Sequence, residues 1–254
     1  MITQNISGVI SESIISTVGN TPLVRLDRIL ADNYFNLYGK LEAANPAGSI
    51  KDRTSLFILQ EALASGRIKK GDTVIESSSG NMALGLAQTC LYYGLKLIVV
   101  VDPKLNSHTE KILKTYGVQI EHVTEPKKEG GYLAARLERV QYLLDTIPNS
   151  FWSNQYGNPD NPKTHHKTMT EIMDSLQGKL DYLFVATSTC GTLMGCADFI
   201  YENKLDTKII AVDAVGSVLF GGPPLKRLIP GHGAGVPSQF LNTSRIYDHV
   251  YVDD

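Results

Sequence analysis

Short apolar strands alternate with amphipathic helices along almost the whole chain, and this alternation is the feature that most constrains the fold. Strands are predicted at residues 37–41, 73–76, 95–101, 118–123, 182–186, 208–213 and 249–252, and helices at 51–65, 81–93, 107–116, 132–145, 165–176 and 192–203. Gly94 and Gly117 follow two of these helices, where a glycine commonly ends a helix. Because parallel strands need a crossover helix between them, the pattern predicts an α/β protein with open, parallel sheets.

The overall composition excludes several classes of protein. A chain of 254 residues with 43% hydrophobic and 20% charged residues is ordinary for a globular protein with a substantial core. A net charge of −2 gives no attraction to nucleic acid or to anionic membranes. The apolar run at 97–101 is far too short to span a bilayer, and we see no signal peptide. We therefore expect small-molecule partners, with no nucleic acid, membrane or metal.

The cysteines indicate a reducing compartment. Cys90, Cys190 and Cys196 form no CxxC motif and leave one thiol without a partner, which is typical of a cytoplasmic protein. His165 and His166 are adjacent and have no histidine one helical turn away, so a loop or helix-start role is predicted for them instead of a metal site.

A lysine stands at the predicted start of a helix in the stretch NPAGSIKDR, residues 45–53. Ser49 is the expected N-cap and Asp52 follows three residues later, a spacing that predicts a capping box. Lys51 would then lie near the positive end of a helix and partly out of water, and both conditions disfavour its charged form. Such a lysine can form a Schiff base. The alternative is an ordinary capped helix with a solvated lysine.

Two other loops have the composition of anion cradles. ESSSGNMAL (76–84) and FVATSTCGTLMG (184–195) each follow an apolar strand, contain several hydroxyl groups and open a helix. Hydroxyl groups and free N–H groups at a helix N-terminus bind carboxylates and phosphates. One lysine, one carboxylate cradle and one phosphate cradle together indicate pyridoxal 5′-phosphate (PLP) as the cofactor.

These three runs, together with GNTPLV (19–24), NQYGNP (154–159) and GHGAGVP (231–237), resemble the fold type II PLP enzymes, the β-family of O-acetylserine sulfhydrylase and cystathionine β-synthase. The resemblance implies the tryptophan synthase β-like fold, with two open twisted-sheet domains. Residues 43–150 would form a smaller, mobile substrate-binding domain, and residues 1–42 with 151–254 a larger PLP-anchoring domain. It also implies a homodimer.

The resemblance further implies a role for each matching residue. Lys51 would bind the cofactor covalently and then act as acid and base at the substrate Cα, and Asn81 would contact the 3′ oxygen of the cofactor. The cofactor phosphate would be held by Ser188, Thr189, Cys190, Gly191 and Thr192. The substrate would be held by Ser77, Ser78, Ser79, Gln155 and Tyr156.

Other stretches resemble one branch of that family more closely, the synthases that begin 2,3-diaminopropionate biosynthesis in siderophore and antibiotic pathways. They are VDPK (101–104), GGYL (130–133), NQY (154–156), AVDA (211–214) and GSVLFG (216–221). Members of this branch join O-phospho-L-serine to L-glutamate, giving N-(2-amino-2-carboxyethyl)-L-glutamate and phosphate. Two alternatives stay open: a cysteine synthase that uses O-acetylserine or O-phosphoserine with sulfide, and a non-catalytic PLP-binding or scaffold protein.

A phosphate leaving group or a dicarboxylate needs a cation, and Arg136 is the candidate. It lies one turn after Tyr132 at the start of a predicted helix, and its planar guanidinium suits phosphate or carboxylate. The alternative is a solvated surface arginine. The Gly- and Pro-rich stretch 214–243 is a long loop, and loops of this length are usually functional.

The chain departs from the family pattern in three places. Ser188 and Cys190 replace glycines of the phosphate loop, and for Cys190 the simplest explanation is a small residue in a glycine position. The run 165–172 lacks the Gly-Pro that usually precedes the glutamate. The sequence stops at Asp254, before the region that supplies a serine to the pyridine nitrogen, so we expect a C-terminal part to be missing and the protein to be longer.

Overall fold

The computed structural model describes residues 10–29 and 34–254. Its helices are α1 (Lys51–Ala64), α2 (Asn81–Tyr93), α3 (Ser107–Thr115), α4 (Gly131–Thr146), α5 (Asp160–Ser175) and α6 (Gly191–Glu202). Its strands are β1 (Leu23–Arg25), β2 (Tyr38–Lys40), β3 (Thr73–Glu76), β4 (Lys96–Val101), β5 (Gln119–His122), β6 (Ser150–Trp152), β7 (Tyr182–Ala186), β8 (Lys208–Ala214) and β9 (Asp248–Val252). Short 3₁₀ turns lie at Ile15–Thr17, Glu42–Ala44 and Thr243–Arg245.

The strands form three sheets, and the two larger ones are entirely parallel. One has four strands in the order β5-β4-β3-β6, and the other has three in the order β7-β8-β9. β1 and β2 form a separate antiparallel pair. The predicted α/β fold with parallel sheets is confirmed. The carboxyl ends of parallel strands are where such sheets bind ligands, and β3 and β7 lead directly into the two predicted anion cradles.

Each parallel sheet has its own hydrophobic core. In the first, Ile58 and Leu59 of α1 and Leu86 of α2 pack against β3 and β4. In the second, Met169 of α5 and Leu193 of α6 pack against β7 and β8. None of the described helices combines the length and apolar character needed to cross a membrane.

α5 and α6 pack unusually closely because α6 presents two glycines to α5. A Cβ atom on Gly191 would collide with the side chain of Asn161, and one on Gly195 would collide with the carbonyl oxygen of Pro162. The backbones of the two helices therefore approach to a distance that no side chain could occupy.

The structure corrects the predicted elements in two ways. α5 begins at Asp160, five residues before the predicted start at 165, because Pro162 lies in the first turn, where its missing N–H has no helical partner to lose. β1 and β6 were not predicted, since each has only three residues and is defined by its pairing with β2 or β3.

Candidate active site

Lys51 is the first residue of α1. The hydroxyl of Ser49 accepts the N–H of Lys51 at 3.2 Å, as an N-cap would. Asp52 accepts the N–H of Ala47 at 2.5 Å and the hydroxyl of Ser49 at 3.4 Å, so the predicted capping box forms only in part. Burial lowers the pKa of Lys51 below its ordinary value, which increases the fraction of neutral, nucleophilic amine.

A largely buried group of four charges, here called the Arg53 cluster (Lys40, Glu42, Arg53, Glu171), holds the first turn of α1 in place. Arg53 donates Nη1 and Nη2 to the two carboxylate oxygens of Glu171 at 2.6 and 2.7 Å, and donates Nε to Glu42 at 2.7 Å. Lys40 donates Nζ to Glu171 at 2.7 Å. Burial alone would raise the pKa of Glu171, but the hydrogen bonds from Arg53 and Lys40 outweigh it and lower that pKa to about 2. The cluster therefore ties α1 to α5 and β2, with the carboxylate of Glu171 ionised.

The predicted carboxylate cradle lies between the end of β3 and the start of α2. Ser77 and Ser78 are buried, and the hydroxyl of Ser77 has no hydrogen-bond partner among the described residues. Asn81 is exposed at the first position of α2. α2 packs on α1 so closely that a Cβ on Gly85 would lie 2.6 Å from the Ser55 hydroxyl and 3.1 Å from the Lys51 carbonyl. This contact brings the cradle to the Lys51 end of α1.

A buried glutamate joins the two predicted substrate loops, forming what we call the Glu76 cluster (Glu76, Ser77, Ser153, Gln155). One carboxylate oxygen of Glu76 accepts the N–H of Ser77 at 2.8 Å. The other accepts the hydroxyl of Ser153 at 2.7 Å and the N–H of Gln155 at 3.2 Å. Burial raises the pKa of Glu76 in spite of these three donors. The loops after β3 and β6 are thus held by one side chain.

The predicted phosphate loop connects β7 to α6. Thr187 donates its hydroxyl to Asp213 at 2.6 Å, and Ser238 donates to the carbonyl of Thr189 at 2.7 Å. Cys190 has a φ of +65°, a conformation that favours glycine. Burial raises the pKa of its thiol to about 11, so the sulfur stays protonated and is not a nucleophile at neutral pH.

Lys51 and the phosphate loop face the same cavity of about 1270 Å³, which is lined on this side by Lys51, Ser188, Thr189, Cys190 and Thr192. The first N–H groups of α6 have no partner within the helix, and the hydroxyls of the loop lie beside them. A helix N-terminus, several hydroxyls and a lysine of lowered pKa fit the phosphate and the aldehyde of pyridoxal phosphate.

Arg136 is mostly buried and is not a solvated surface residue. Its side chain is 17% exposed, and its Nε lies 3.5 Å from Asp102. Burial raises the pKa of Tyr156; the positive charges of Arg136 and Arg227 oppose that rise, and the negative charge of Glu76 adds to it. Nε of each arginine is buried without a hydrogen-bond partner among the residues described here. Arg136 comes from α4 and Arg227 from the loop after β8, so the two arginines belong to different parts of the chain.

Sequence reasoning missed several residues of this region. Asn161 donates to the carbonyl of Gln155 at 2.6 Å and to Thr189 at 3.4 Å, and so links the second substrate loop to the phosphate loop. Glu76 is the first residue of the motif ESSSGNMAL, but no role was predicted for it. Arg227 lies in the long loop 214–243, which was expected to be functional. Only the Gly- and Pro-rich composition of that loop could have pointed to Arg227.

Comparison with known proteins gives consistent matches. The family described as "Pyridoxal-phosphate dependent enzyme" matches residues 14–253. An N-(2-amino-2-carboxyethyl)-L-glutamate synthase from Ralstonia nicotianae is 44% identical over 246 residues, 96% of this chain and 73% of that protein. A hydrogen sulfide-producing enzyme from Fusobacterium nucleatum superposes with a TM-score of 0.89 at 30% identity, covering 98% of this chain and 81% of the other. A cysteine synthase from Entamoeba histolytica superposes with a TM-score of 0.89 at 29% identity, covering 100% and 75%.

Proposed function

Because this chain belongs to the family of pyridoxal-phosphate dependent enzymes, we propose that it joins O-phospho-L-serine to L-glutamate and forms N-(2-amino-2-carboxyethyl)-L-glutamate and phosphate. The chain is an enzyme of this family, and its cofactor is pyridoxal phosphate. The product is that of the synthases of 2,3-diaminopropionate biosynthesis, which the sequence motifs resemble, and the name of the Ralstonia relative supports the same assignment.

We propose that Lys51 binds the cofactor covalently and that residues 188–192 hold its phosphate. Asn81 contacts the 3′ oxygen. When bound, pyridoxal phosphate supplies an electron sink for negative charge at the substrate Cα. Lys51 then takes and returns the proton at that atom, a task suited to an amine whose pKa is lowered by burial.

The remaining residues bind and orient the amino-acid substrate. Ser77, Ser78, Ser79 and Gln155 hold its α-carboxylate, and the unpartnered hydroxyl of Ser77 is a donor available for it. Arg136 holds the leaving phosphate, and Tyr156 lies beside it.

One observation carries the choice of substrates: Arg136 is mostly buried, and its Nε has no hydrogen-bond partner among the described residues. A sulfide nucleophile needs no cation, whereas a phosphate leaving group and a dicarboxylate nucleophile both do. This favours phosphoserine and glutamate over acetylserine and sulfide.

The test is a competition between substrates. The enzyme is supplied with O-phosphoserine, O-acetylserine, glutamate and sulfide together, and the products are identified by mass spectrometry. We expect N-(2-amino-2-carboxyethyl)-L-glutamate as the main product. Cysteine as the main product would instead establish a cysteine synthase, and a bound-cofactor spectrum without turnover of any pair would contradict catalysis of this kind.

A second experiment tests the cation. Arg136→Ala should raise the KM for phosphoserine or glutamate by about ten- to a hundredfold, the value of one charge-assisted hydrogen bond. Arg139→Ala is the matched control, because Arg139 lies one turn later on α4 and pairs with Glu121 near the surface. Equal kinetics for the two variants would remove Arg136 from the substrate site.

We also propose the domain division, assembly and location that the sequence predicts. Residues 43–150 would move as the smaller domain, and the enzyme would act as a homodimer in the cytoplasm. The three buried free thiols are consistent with a reducing compartment. Mass measurement in solution and fractionation of cells test the last two points.

A further inference from the structure

Two adjacent histidines on α5 have opposite environments. His165 is fully buried, and its ring lies between two hydroxyls: Nδ1 is 3.3 Å from Oγ1 of Thr168, and Nε2 is 3.1 Å from Oγ1 of Thr192. The side chain of His166 is 36% exposed, and its nearest carboxylate, Glu202, is 3.9 Å away. Of the two histidines, only His165 contacts Thr192 in the first turn of α6.

The surroundings of His165 determine which ring nitrogen carries the proton. Thr168 is 3% exposed, and Nδ1 is the only acceptor for its hydroxyl hydrogen among the described residues. A buried hydroxyl without an acceptor is unfavourable, and Thr168 is more deeply buried than Thr192, so the arrangement favours Thr168 as the donor to Nδ1. The ring is neutral, because burial and the nearby charges of Lys51 and Arg53 lower the pKa of His165 well below its ordinary value. The proton of a neutral ring then resides on Nε2.

This tautomer fixes the role of Thr192. Nε2–H donates to Oγ1 of Thr192, which leaves the hydroxyl hydrogen of Thr192 free to donate elsewhere. Thr192 lies in the first turn of α6 and lines the cavity together with Lys51, Ser188 and Thr189. Its hydroxyl has no other hydrogen bond to the residues described, so the direction left for its hydrogen is the cavity.

We propose that His165 is a positioning residue that, through a tautomer held by Thr168, directs the hydroxyl of Thr192 to donate to the phosphate group of the cofactor. The relay runs from the Thr168 hydroxyl to Nδ1, from Nε2–H to Thr192, and from the Thr192 hydroxyl to a phosphate oxygen. It rests on the proposed placement of the cofactor phosphate at residues 188–192.

The first test reads the tautomer directly. In nitrogen-15 NMR spectra of histidine-labelled holoenzyme, His165 should show a protonated Nε2 and an unprotonated Nδ1. In Thr168→Val this preference should weaken, because Nδ1 loses its donor. A ring protonated on Nδ1 alone, or on both nitrogens, in the wild-type enzyme would overturn the proposal.

The second test measures cofactor binding without turnover. His165→Leu should weaken pyridoxal phosphate binding to the apoenzyme by about tenfold and shift the phosphorus-31 resonance of the bound cofactor. His165→Gln, whose amide can still donate to Thr192, should restore much of the cofactor affinity and of the phosphorus-31 resonance position. This variant keeps the test valid if the leucine variant does not fold. His166→Leu is the matched control and should leave both readings unchanged.

Thr192→Val separates this inference from the proposed binding site. We expect it to weaken cofactor binding at least as much as His165→Leu does. A loss in Thr192→Val with none in His165→Leu would overturn the role of His165 alone. No loss in either variant would overturn the placement of the phosphate as well.

Discussion

The Arg53 cluster and the Glu76 cluster each hold a glutamate beside the proposed active site, but they shift the pKa of that glutamate in opposite directions. Glu171 is bound by two cations, and its pKa is lowered to about 2. Glu76 is bound only by neutral donors, and burial raises its pKa. The charge of Glu171 does not change with pH near neutrality, so the Arg53 cluster holds the Lys51 end of α1 in the same way across that range. Glu76 has only neutral donors, so its charge can change with pH, and it lies beneath the two predicted substrate loops.

The largest effect should come from removing the shared cation of the first cluster. Arg53→Met leaves Glu42 without its ion-pair partner and leaves Glu171 with Lys40 as its only cation among the described residues, in a largely buried setting. Breaking a buried ion pair typically costs about 3–5 kcal/mol, so the free energy of unfolding in urea should fall by that amount. Lys127→Met is the control, because the side chains of Lys127 and its partner Glu138 are 50% and 62% exposed, and exposed pairs contribute about 0–1 kcal/mol. Similar losses for both variants would show that the buried charges are not coupled as described.

A smaller effect is expected for the second cluster. In Glu76→Gln, one oxygen becomes an amide that cannot accept, so either Ser77 or Gln155 keeps a buried N–H without a partner. The expected loss is about 1–3 kcal/mol of unfolding free energy. The KM for the amino-acid substrate should rise because both substrate loops loosen, while the absorbance of the bound cofactor stays unchanged.

Glu138→Gln is the matched control for that variant, since the side chain of Glu138 is 62% exposed and pairs with a surface lysine. It should change neither stability nor KM. A Glu76→Gln enzyme with wild-type KM would mean that the two loops are held by other contacts.

The smallest expected effect, and the most diagnostic, is a change in how the free energy of unfolding depends on pH when Glu171 or Glu76 is replaced. An unfolded glutamate titrates near about 4.3. The stabilisation from Glu171 is complete above that value and is lost as the pH falls towards its folded pKa of about 2. Glu76 has the opposite sign, because its raised folded pKa means that stability falls as the pH rises above about 4.3.

These slopes can be measured by thermal unfolding between acid and neutral pH. Glu171→Gln should reduce the loss of stability as the pH falls below about 4.3. Glu76→Gln should reduce the loss of stability as the pH rises above about 4.3. Identical profiles for the two variants would contradict the contrast between the clusters.

Local features of the fold could be predicted from the sequence, and long-range ones could not. α2 runs over Asn81–Tyr93 as predicted, because its ends are marked by a hydroxyl-rich loop and by Gly94, whose φ is +66°. The parallel sheets followed from alternation alone. β6 was missed because three residues, Ser150–Trp152, carry no periodic pattern of their own.

The polar contacts of the site were beyond sequence reasoning for a different reason. Arg53 and Glu171 are 118 residues apart, and nothing near either one identifies the other as its partner. Arg136 was predicted as a cation near the substrate, but no role was predicted for Arg227, since its burial depends on the path of a loop without regular structure. Roles for Lys51 and residues 188–192 could be predicted because each carries its own helix-start motif.

The close contact between α5 and α6 has a consequence for how such an enzyme can evolve. Gly191 and Gly195 stand one helical turn apart on α6, and any larger residue at either position must push the two helices apart. In a saturation library these two positions should tolerate almost no replacement, although neither has a side chain to contribute to catalysis. Residues that we propose to bind the substrate, such as Arg136 and Tyr156, face no comparable restriction. Descendants of this protein could therefore exchange one substrate for another over many generations while the cofactor end of the site stays unchanged.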